Sequence, residues 1–310
     1  MNLPIVEKAG GASKRGSHRL AQISQCERAW WFSWGRRLEP RDRQRPLVEG
    51  SAVHLALAYW WAERMVEPPT WLRETPLEQA MAKEVVGMQD AALLAYDVRD
   101  AYARFYANDT WTPVAVEKEF FATIKELRQS SWGAFIEHPA TDNEKVSARI
   151  DLLIEVNGKL WAVDHKTTKG GSNGVLARWN PHGEWAISFQ FLLQTLILRA
   201  RFGDRFGGVI VQRIKTSQPY DFDRNVVLLP PQVLADGPRT VEKQVEHELA
   251  LAKQVRENIS LGVDMEAWLP PGNFWSCWSW GRPCDFRLLC TAEPEMRSAI
   301  VESEFRARGE

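Results

Sequence analysis

The sequence predicts an α/β (α+β) fold in which a central mixed sheet is flanked by helices, and three observations lead there. Residues 147–168 read as two strands joined by Asn157-Gly158, a pair that supplies the positive φ angles of a two-residue hairpin. Residues 184–198 follow as a long apolar helix, and residues 207–216 and 222–229 then return to strand composition. Residues 17–110 and a segment from about 240 to 260 carry helical periodicity, which gives the sheet its cover.

Taken in order, the chain divides into four stretches. Residues 1–16 contain Gly, Lys and Ser and are expected to be a flexible N-terminus; 17–110 form a helical region; 111–230 form the core; and 231–310 hold a C-terminal helix and a cysteine-rich segment. Ser17 or Ser24 is a candidate cap for a helix running through Cys26 to Phe32. Arg28, Arg36, Arg37, Arg41, Arg43 and Arg45 make this region locally basic, which suits a phosphate-contacting surface as well as a solvated face. A helix opens at Glu49-Gly50 and carries His54 among apolar residues on its way to Ala62. Such a histidine is commonly a core residue, but it is also a candidate metal ligand. Residues 63–74 read as a connector around Pro68-Pro69, and residues 76–108 as one or two covering helices.

Residues 111–122 read as the first core strand, with Glu119 either solvent-exposed or supporting the site or an arginine from behind, and a short strand expected at 132–136. The chemistry concentrates at the hairpin ends. Asp151 and Asp164 interrupt apolar strands, and a carboxylate facing a sheet interior is costly unless it is paired or holds a metal. Lys166 lies two residues after Asp164, so strand alternation puts both on one face. Two carboxylates and a lysine can hold a hard divalent cation and orient a water beside it. Residues 169–174 form a Gly-rich loop that would border a substrate path. Gln190 and Gln194 share a face of the following helix and need partners inside an apolar run. Arg213 and Lys215 share a strand face, either solvated or aimed at the groove. Gly237-Pro238 reads as a break before the last long helix.

These residues carry a family resemblance. Asp151, then Asp164-His165-Lys166 across the Asn-Gly hairpin, resembles the PD-(D/E)xK nuclease superfamily and its restriction-endonuclease-like fold. Gly50-x-x-x-His54, the helix around Cys26-x-x-x-Trp30-Trp31, and Gln190 are similar to motifs of the RecB-like branch, which includes CRISPR-associated and AddB-type iron–sulfur nucleases; the resemblance spans residues 17–290. Gln194 stands where the branch's Gln-x-x-x-Tyr motif has Tyr. The resemblance implies that His54, Asp151, Asp164 and the His165 carbonyl hold Mg2+ or Mn2+, that Lys166 orients the attacking water, and that Gln190 positions Lys166 or the strand.

The four cysteines are Cys26, Cys277, Cys284 and Cys290. Clustered cysteines in a chain without secretory features suggest a metal before a disulfide, and four thiolates suit either a [4Fe–4S] cluster or tetrahedral zinc. The resemblance favours [4Fe–4S], stapling the N-terminal helix to the C-terminal segment.

Composition narrows the partners. The chain has 310 residues, 39 basic against 40 acidic, so a nucleic-acid partner has to be argued from local patches. Its 15 Trp residues are core payload first and base-stacking candidates second. No apolar run approaches a membrane span, no signal-peptide core is present, and no P-loop pattern appears, so the expected location is cytoplasmic and no helicase module is expected. The resulting expectation is a metal-dependent DNA exonuclease acting on single strands or free ends, in recombination, repair or phage DNA metabolism, as a homo-oligomer or with recombination partner proteins. An endonuclease, a processing enzyme of CRISPR-adaptation type, or a non-cleaving DNA-binding subunit are the alternatives.

Overall fold

The computed structural model describes residues 15–130, 140–170, 176, 180, 183–265, 267–279 and 282–308. Residues 1–14, the strand expected at 132–136 and most of the loop expected at 169–174 lie outside the described residues.

The expected hairpin forms: β3 and β4 turn on Asn157 (φ 51°) and Gly158 (φ 74°) and pair from Val156↔Lys159 to Leu152↔Val163. In chain order the elements are α1 (Ser17–Gln25), α2 (Glu27–Trp30), β1 (Leu38–Pro40), α3 (Arg45–Ala62), α4 (Thr70–Glu74), α5 (Leu77–Glu84), α6 (Gln89–Phe105), β2 (Thr112–Thr123), α7 (Ile124–Gln129), β3 (Lys145–Val156) and β4 (Lys159–Thr168). There follow α8 (Phe189–Phe202), β5 (Phe206–Lys215), β6 (Asp221–Val226), α9 (Pro231–Ser260), β7 (Trp278–Ser279), β8 (Arg282–Pro283), α10 (Arg287–Thr291), α11 (Pro294–Glu304) and β9 (Phe305–Ala307). The central sheet has the order β2-β3-β4-β5-β6. Only the β4–β5 pair is parallel, because α8 carries the chain across between them.

Each sheet face buries its own layer. On one face α3 and α6 pack Ala52, Ala56, Trp61, Val98 and Tyr102 against Leu152, Ile154, Val163 and Ile214. On the other, α8 and α9 pack Phe191, Leu193, Ile197 and Val245 against Phe120, Ile150, Leu153 and Val211. A third cluster joins the chain's ends: Trp30, Trp31 and Phe32 meet Leu251, Phe286, Leu289 and Phe305, and β1 pairs with β9 (Leu38↔Ala307).

Several elements differ from the sequence reading. The helix through Cys26 breaks there: Cys26 is extended (φ −165°, ψ 110°), and residues 31–35 continue as a π-turn after α2. Neither Ser17 nor Ser24 caps a helix; Gly16 is the N-cap of α1, and Ser24 Oγ donates to the Leu20 carbonyl. Glu49 is four residues into α3 and buried, because Pro46 at the first turn starts the helix earlier. A short 3₁₀ turn covers Glu184–Ile187, so α8 starts only at Phe189. Gly237-Pro238 does not stop α9, since both residues are buried and the packed face outweighs the lost backbone hydrogen bond. Arg213 and Lys215 are neither solvated nor aimed at the groove. Arg213 Nε donates to Asp223 (2.8 Å), and the fully buried Lys215 Nζ donates to the Pro219 carbonyl (2.5 Å).

A buried polar network ties α6 to β5 and β6. Tyr102 donates to Gln212 Oε1 (2.7 Å), Gln212 Nε2 donates to the Tyr106 hydroxyl (3.0 Å), and Arg224 donates to Tyr102 (3.3 Å) while pairing with Asp109. Burial raises the Tyr102 pKa, which keeps the hydroxyl a donor. Tyr102→Phe leaves Gln212 short of a buried partner, so it is expected to lower unfolding free energy by about 1–3 kcal/mol, read as a lower melting temperature.

Candidate active site

The hairpin, α3 and α8 bring the sequence-derived residues together. In α3, Gly50 lies so close to β4 that an added Cβ would sit 3.0 Å from Thr167 Oγ1. That close approach carries His54, one turn on, to Asp151: His54 Nδ1 stands 3.5 Å from Asp151 Oδ2. The same oxygen accepts from the His165 backbone N–H at 2.8 Å. Across the ladder, the pairs Val116↔Leu152 and Lys118↔Ile150 place Glu117 opposite Asp151. Ligand atoms of His54, Glu117 and Asp151 all lie within 4.8 Å of one another, the one such group of three or more His, Cys, Asp or Glu among the described residues.

Asp164 and Lys166 share a face as alternation requires, and α8 fastens them. Lys166 Nζ is 2.8 Å from Asp164 Oδ2 and donates to Gln190 Oε1 at 3.0 Å. Gln190 Nε2 in turn donates to Asp164 Oδ1 at 2.5 Å, with Gln194 Nε2 more distant at 3.5 Å. Gln190 therefore bridges the carboxylate and the amine. Asp164 Oδ2 is buried, and its partner is the Lys166 ammonium.

The electrostatics are those of crowded, protein-packed carboxylates. Glu117 and Asp151 keep an edge open to solvent, but the protein packed around them disfavours their charge. Burial, then Asp151 and Asp164, push the Glu117 carboxyl up to about 8, with Arg149 opposing. Burial likewise raises Asp151, with His54 pulling the other way. Burial alone would lower Lys166, but Asp164 and Asp151 outweigh it and hold the ammonium charged. Burial keeps the His165 imidazole neutral, with a pKa well below its ordinary value.

The donor set fits a hard divalent cation: carboxylate oxygens of Glu117 and Asp151, one imidazole nitrogen of His54, and the Asp164 carboxylate nearby. The sequence reading passed over Glu117, which joins the site; Glu119, expected to support the site or an arginine, stands opposite Arg149 in the ladder. The His165 ring packs edge-on against His54, ring centroids 5.7 Å apart. Alternation leaves Glu117 and Glu119 on a par, and only the irregularity of β2 separates them: a register shift between Pro113 and Ala115, then Glu117 itself at φ 47°.

The family model for the PD-(D/E)XK nuclease superfamily matches residues 17–291. The chain belongs to the PD-(D/E)XK nuclease superfamily. Nucleases of this superfamily cleave nucleic acid with divalent metals such as Mg2+ or Mn2+, and nucleic acid is this nuclease's substrate class. No curated protein matches the sequence. Among the described residues, no helix is long and apolar enough to cross a membrane.

The cysteines and the basic stretch resolve differently. All four thiols are unbridged. No three of them lie within 4.8 Å of one another, whereas sulfurs on one zinc, with bonds of about 2.3 Å, are at most about 4.6 Å apart. The thiols are thus not preformed as a tetrahedral zinc site. Of the basic stretch, Arg43 pairs with Glu84 (2.7 Å), Arg45 with Glu49 (2.7 Å), and Arg28 donates to the Pro270 carbonyl (3.0 Å).

The raised Glu117 pKa carries a sign that can be measured. A carboxyl lifted from 4.5 to about 8 contributes stability in full below about pH 4.5 and loses it as pH rises toward 8. The neutral, buried His165 acts oppositely in the acid part of that range, so the readout is a difference between variants. In metal-free protein, Glu117→Gln is expected to be stabilising relative to wild type by several degrees at pH 8 and by progressively less toward pH 5. A melting-temperature difference that is flat with pH would contradict the assignment.

Proposed function

We propose that this nuclease is a divalent-metal-dependent DNA exonuclease of the RecB-like branch, working from DNA ends in recombination, repair or phage DNA metabolism. One observation carries the reading: His54, Glu117 and Asp151 converge beside an Asp164–Lys166–Gln190 unit. His54, Glu117, Asp151 and Asp164, with the His165 carbonyl, would hold Mg2+ or Mn2+. That ion, when bound, supplies Lewis acidity at the scissile phosphate and at a water. Lys166, held cationic by its neighbours and 35% exposed, orients the attacking water and offsets developing negative charge. Gln190 restrains the Lys166 amine, and the neutral His165 ring supports His54. The restriction to DNA ends rests on Gly50-x-x-x-His54, Gln190 and the cysteine pattern, which resemble the branch's exonucleases.

In the same reading, Cys26, Cys277, Cys284 and Cys290 hold a structural [4Fe–4S] cluster. Cys284 N–H donates to the Cys277 carbonyl (2.8 Å), and Asn273 touches both Cys26 Sγ (3.4 Å) and Cys277 Sγ (4.0 Å). Burial pushes the Cys290 thiol up to about 12, Arg28 opposing and the three other cysteines adding to the rise. Mutual repulsion of this kind is what a cationic cluster would relieve.

End-labelled linear single-stranded and duplex DNA, with circular controls, tests the catalytic claim on protein purified without oxygen. Label is expected to be lost from linear DNA only, to stop on chelation and return with Mn2+, and to fall at least about a hundredfold in Lys166→Ala. Cuts in circular DNA would make the enzyme an endonuclease, and no cleavage by folded wild type in either metal would contradict the proposal. Cys284→Ser is expected to lose iron and acid-labile sulfide, about four of each per chain in wild type, and to lower the melting temperature. Unchanged iron content would remove the cluster from the account.

A further inference from the structure

The two strands that carry Asp151 and Asp164 part company at the site. β3 and β4 pair from the turn only as far as Leu152↔Val163. Carried one step further, that register sets Asp151 opposite Asp164; carried three steps, it sets Arg149 opposite Lys166. Each prong of the fork therefore bears a carboxylate first and a cation two residues later. Asp151 Oδ2 fills the root of the fork, where it accepts from the His165 N–H at 2.8 Å.

The neighbours of Arg149 fix its direction. Ala148 and Ile150 are buried in the layer under α8, whereas Leu152 is buried in the layer under α3, so the alternation of β3 breaks at Asp151. Arg149 lies on the face opposite Ala148 and Ile150, which is the side from which α3 brings His54 to Asp151. Lys166 lies on the other side, against Gln190 of α8. The two cations flank the carboxylates from opposite faces of the sheet.

Arg149 is also unspent. Its Nε is buried without a hydrogen-bond partner, and the side chain as a whole is half-buried, which leaves the two terminal nitrogens to solvent. Glu119 stands directly across the ladder, yet no ion pair joins the two among the described residues. Arg43, Arg45, Arg128, Arg213 and Arg224, by contrast, each pair with a carboxylate. The Arg149 charge is nonetheless felt in the site: burial and then Asp151 raise the Glu117 carboxyl, and Arg149 opposes them. A buried guanidinium donor left unsatisfied is costly, and the paired N–H groups of arginine match the oxygens of a phosphate.

We propose that Arg149 is a substrate-binding residue that grips the non-bridging oxygens of a backbone phosphate at the metal carboxylates, across the fork from Lys166. This clamp rests on the nuclease reading and deepens it, adding a phosphate contact on the α3 side to the groups already assigned. The ligand is the scissile phosphate or the backbone phosphate next to it.

The test uses the full chain and a fluorescent single-stranded DNA oligonucleotide. Affinity is measured by anisotropy over a salt series in Ca2+, under conditions where no product forms, and rate by single-turnover cleavage in Mn2+ at saturating protein. Arg149→Ala is expected to bind about tenfold more weakly, and its slope of log affinity against log salt to flatten by about 0.7, the loss of one phosphate contact. Arg149→Lys is expected to keep the slope and lose part of the affinity, because a point charge replaces a planar fork. Both variants are expected to retain Mn2+ binding without DNA. A saturated rate that also falls about a hundredfold in Arg149→Ala identifies the scissile phosphate, and an unchanged saturated rate identifies its neighbour. Arg149→Met, which keeps the apolar stem, serves if Arg149→Ala does not fold. If the neutral variant keeps the wild-type slope and affinity, or loses Mn2+ in the absence of DNA, the clamp is wrong while the nuclease reading stands. If wild type neither binds nor cleaves DNA, both fall.

Discussion

Three carboxylates, Glu117, Asp151 and Asp164, share the middle of a buried sheet with one ammonium and one imidazole, and the rest of the structure serves to keep them there. Left alone, such a group would repel itself apart or take up protons. It is held by backbone. Glu117 sits at φ 47° opposite Asp151, a left-handed conformation that costs a side-chain-bearing residue of order 1–3 kcal/mol unless the ladder enforces it. Asp151 is fixed by the His165 N–H, and Asp164 by the Gln190 amide. A divalent cation held by these residues would offset the strain and the repulsion.

The flanking layers explain why the geometry is rigid enough to matter. The small residues of α3 let it lie close over the hairpin and aim His54. The Tyr102–Gln212–Arg224 network locks α6 to β5 and β6, behind the strand that pairs with the catalytic one. The third core ties the first helices to the last strand.

Much of this was legible in the sequence because local rules agreed with the global fold. Asn157-Gly158 specified the hairpin turn, alternation put Asp164 beside Lys166, and Gln190 had to find a polar partner inside an apolar helix. Other features depended on contacts that no local pattern encodes. Glu117 rather than Glu119 faces the site because β2 is irregular, and that irregularity is set by pairing with β3. Cys26 breaks its helix although its neighbours favour continuation. Gly237-Pro238 reads as a stop but is buried inside α9, and Lys215 looks like a surface cation but is buried on a carbonyl. In each case tertiary packing overrode propensity.

The central claim is that His54, Glu117, Asp151 and Asp164 surround a divalent cation next to Lys166. Anomalous scattering from crystals soaked in Mn2+ tests it most directly. The account predicts a manganese peak within ligand distance of Glu117, Asp151 and His54 and close to Asp164, reduced or lost in Glu117→Gln. A peak coordinated by Glu119 instead, or manganese bound only away from the hairpin, would contradict it.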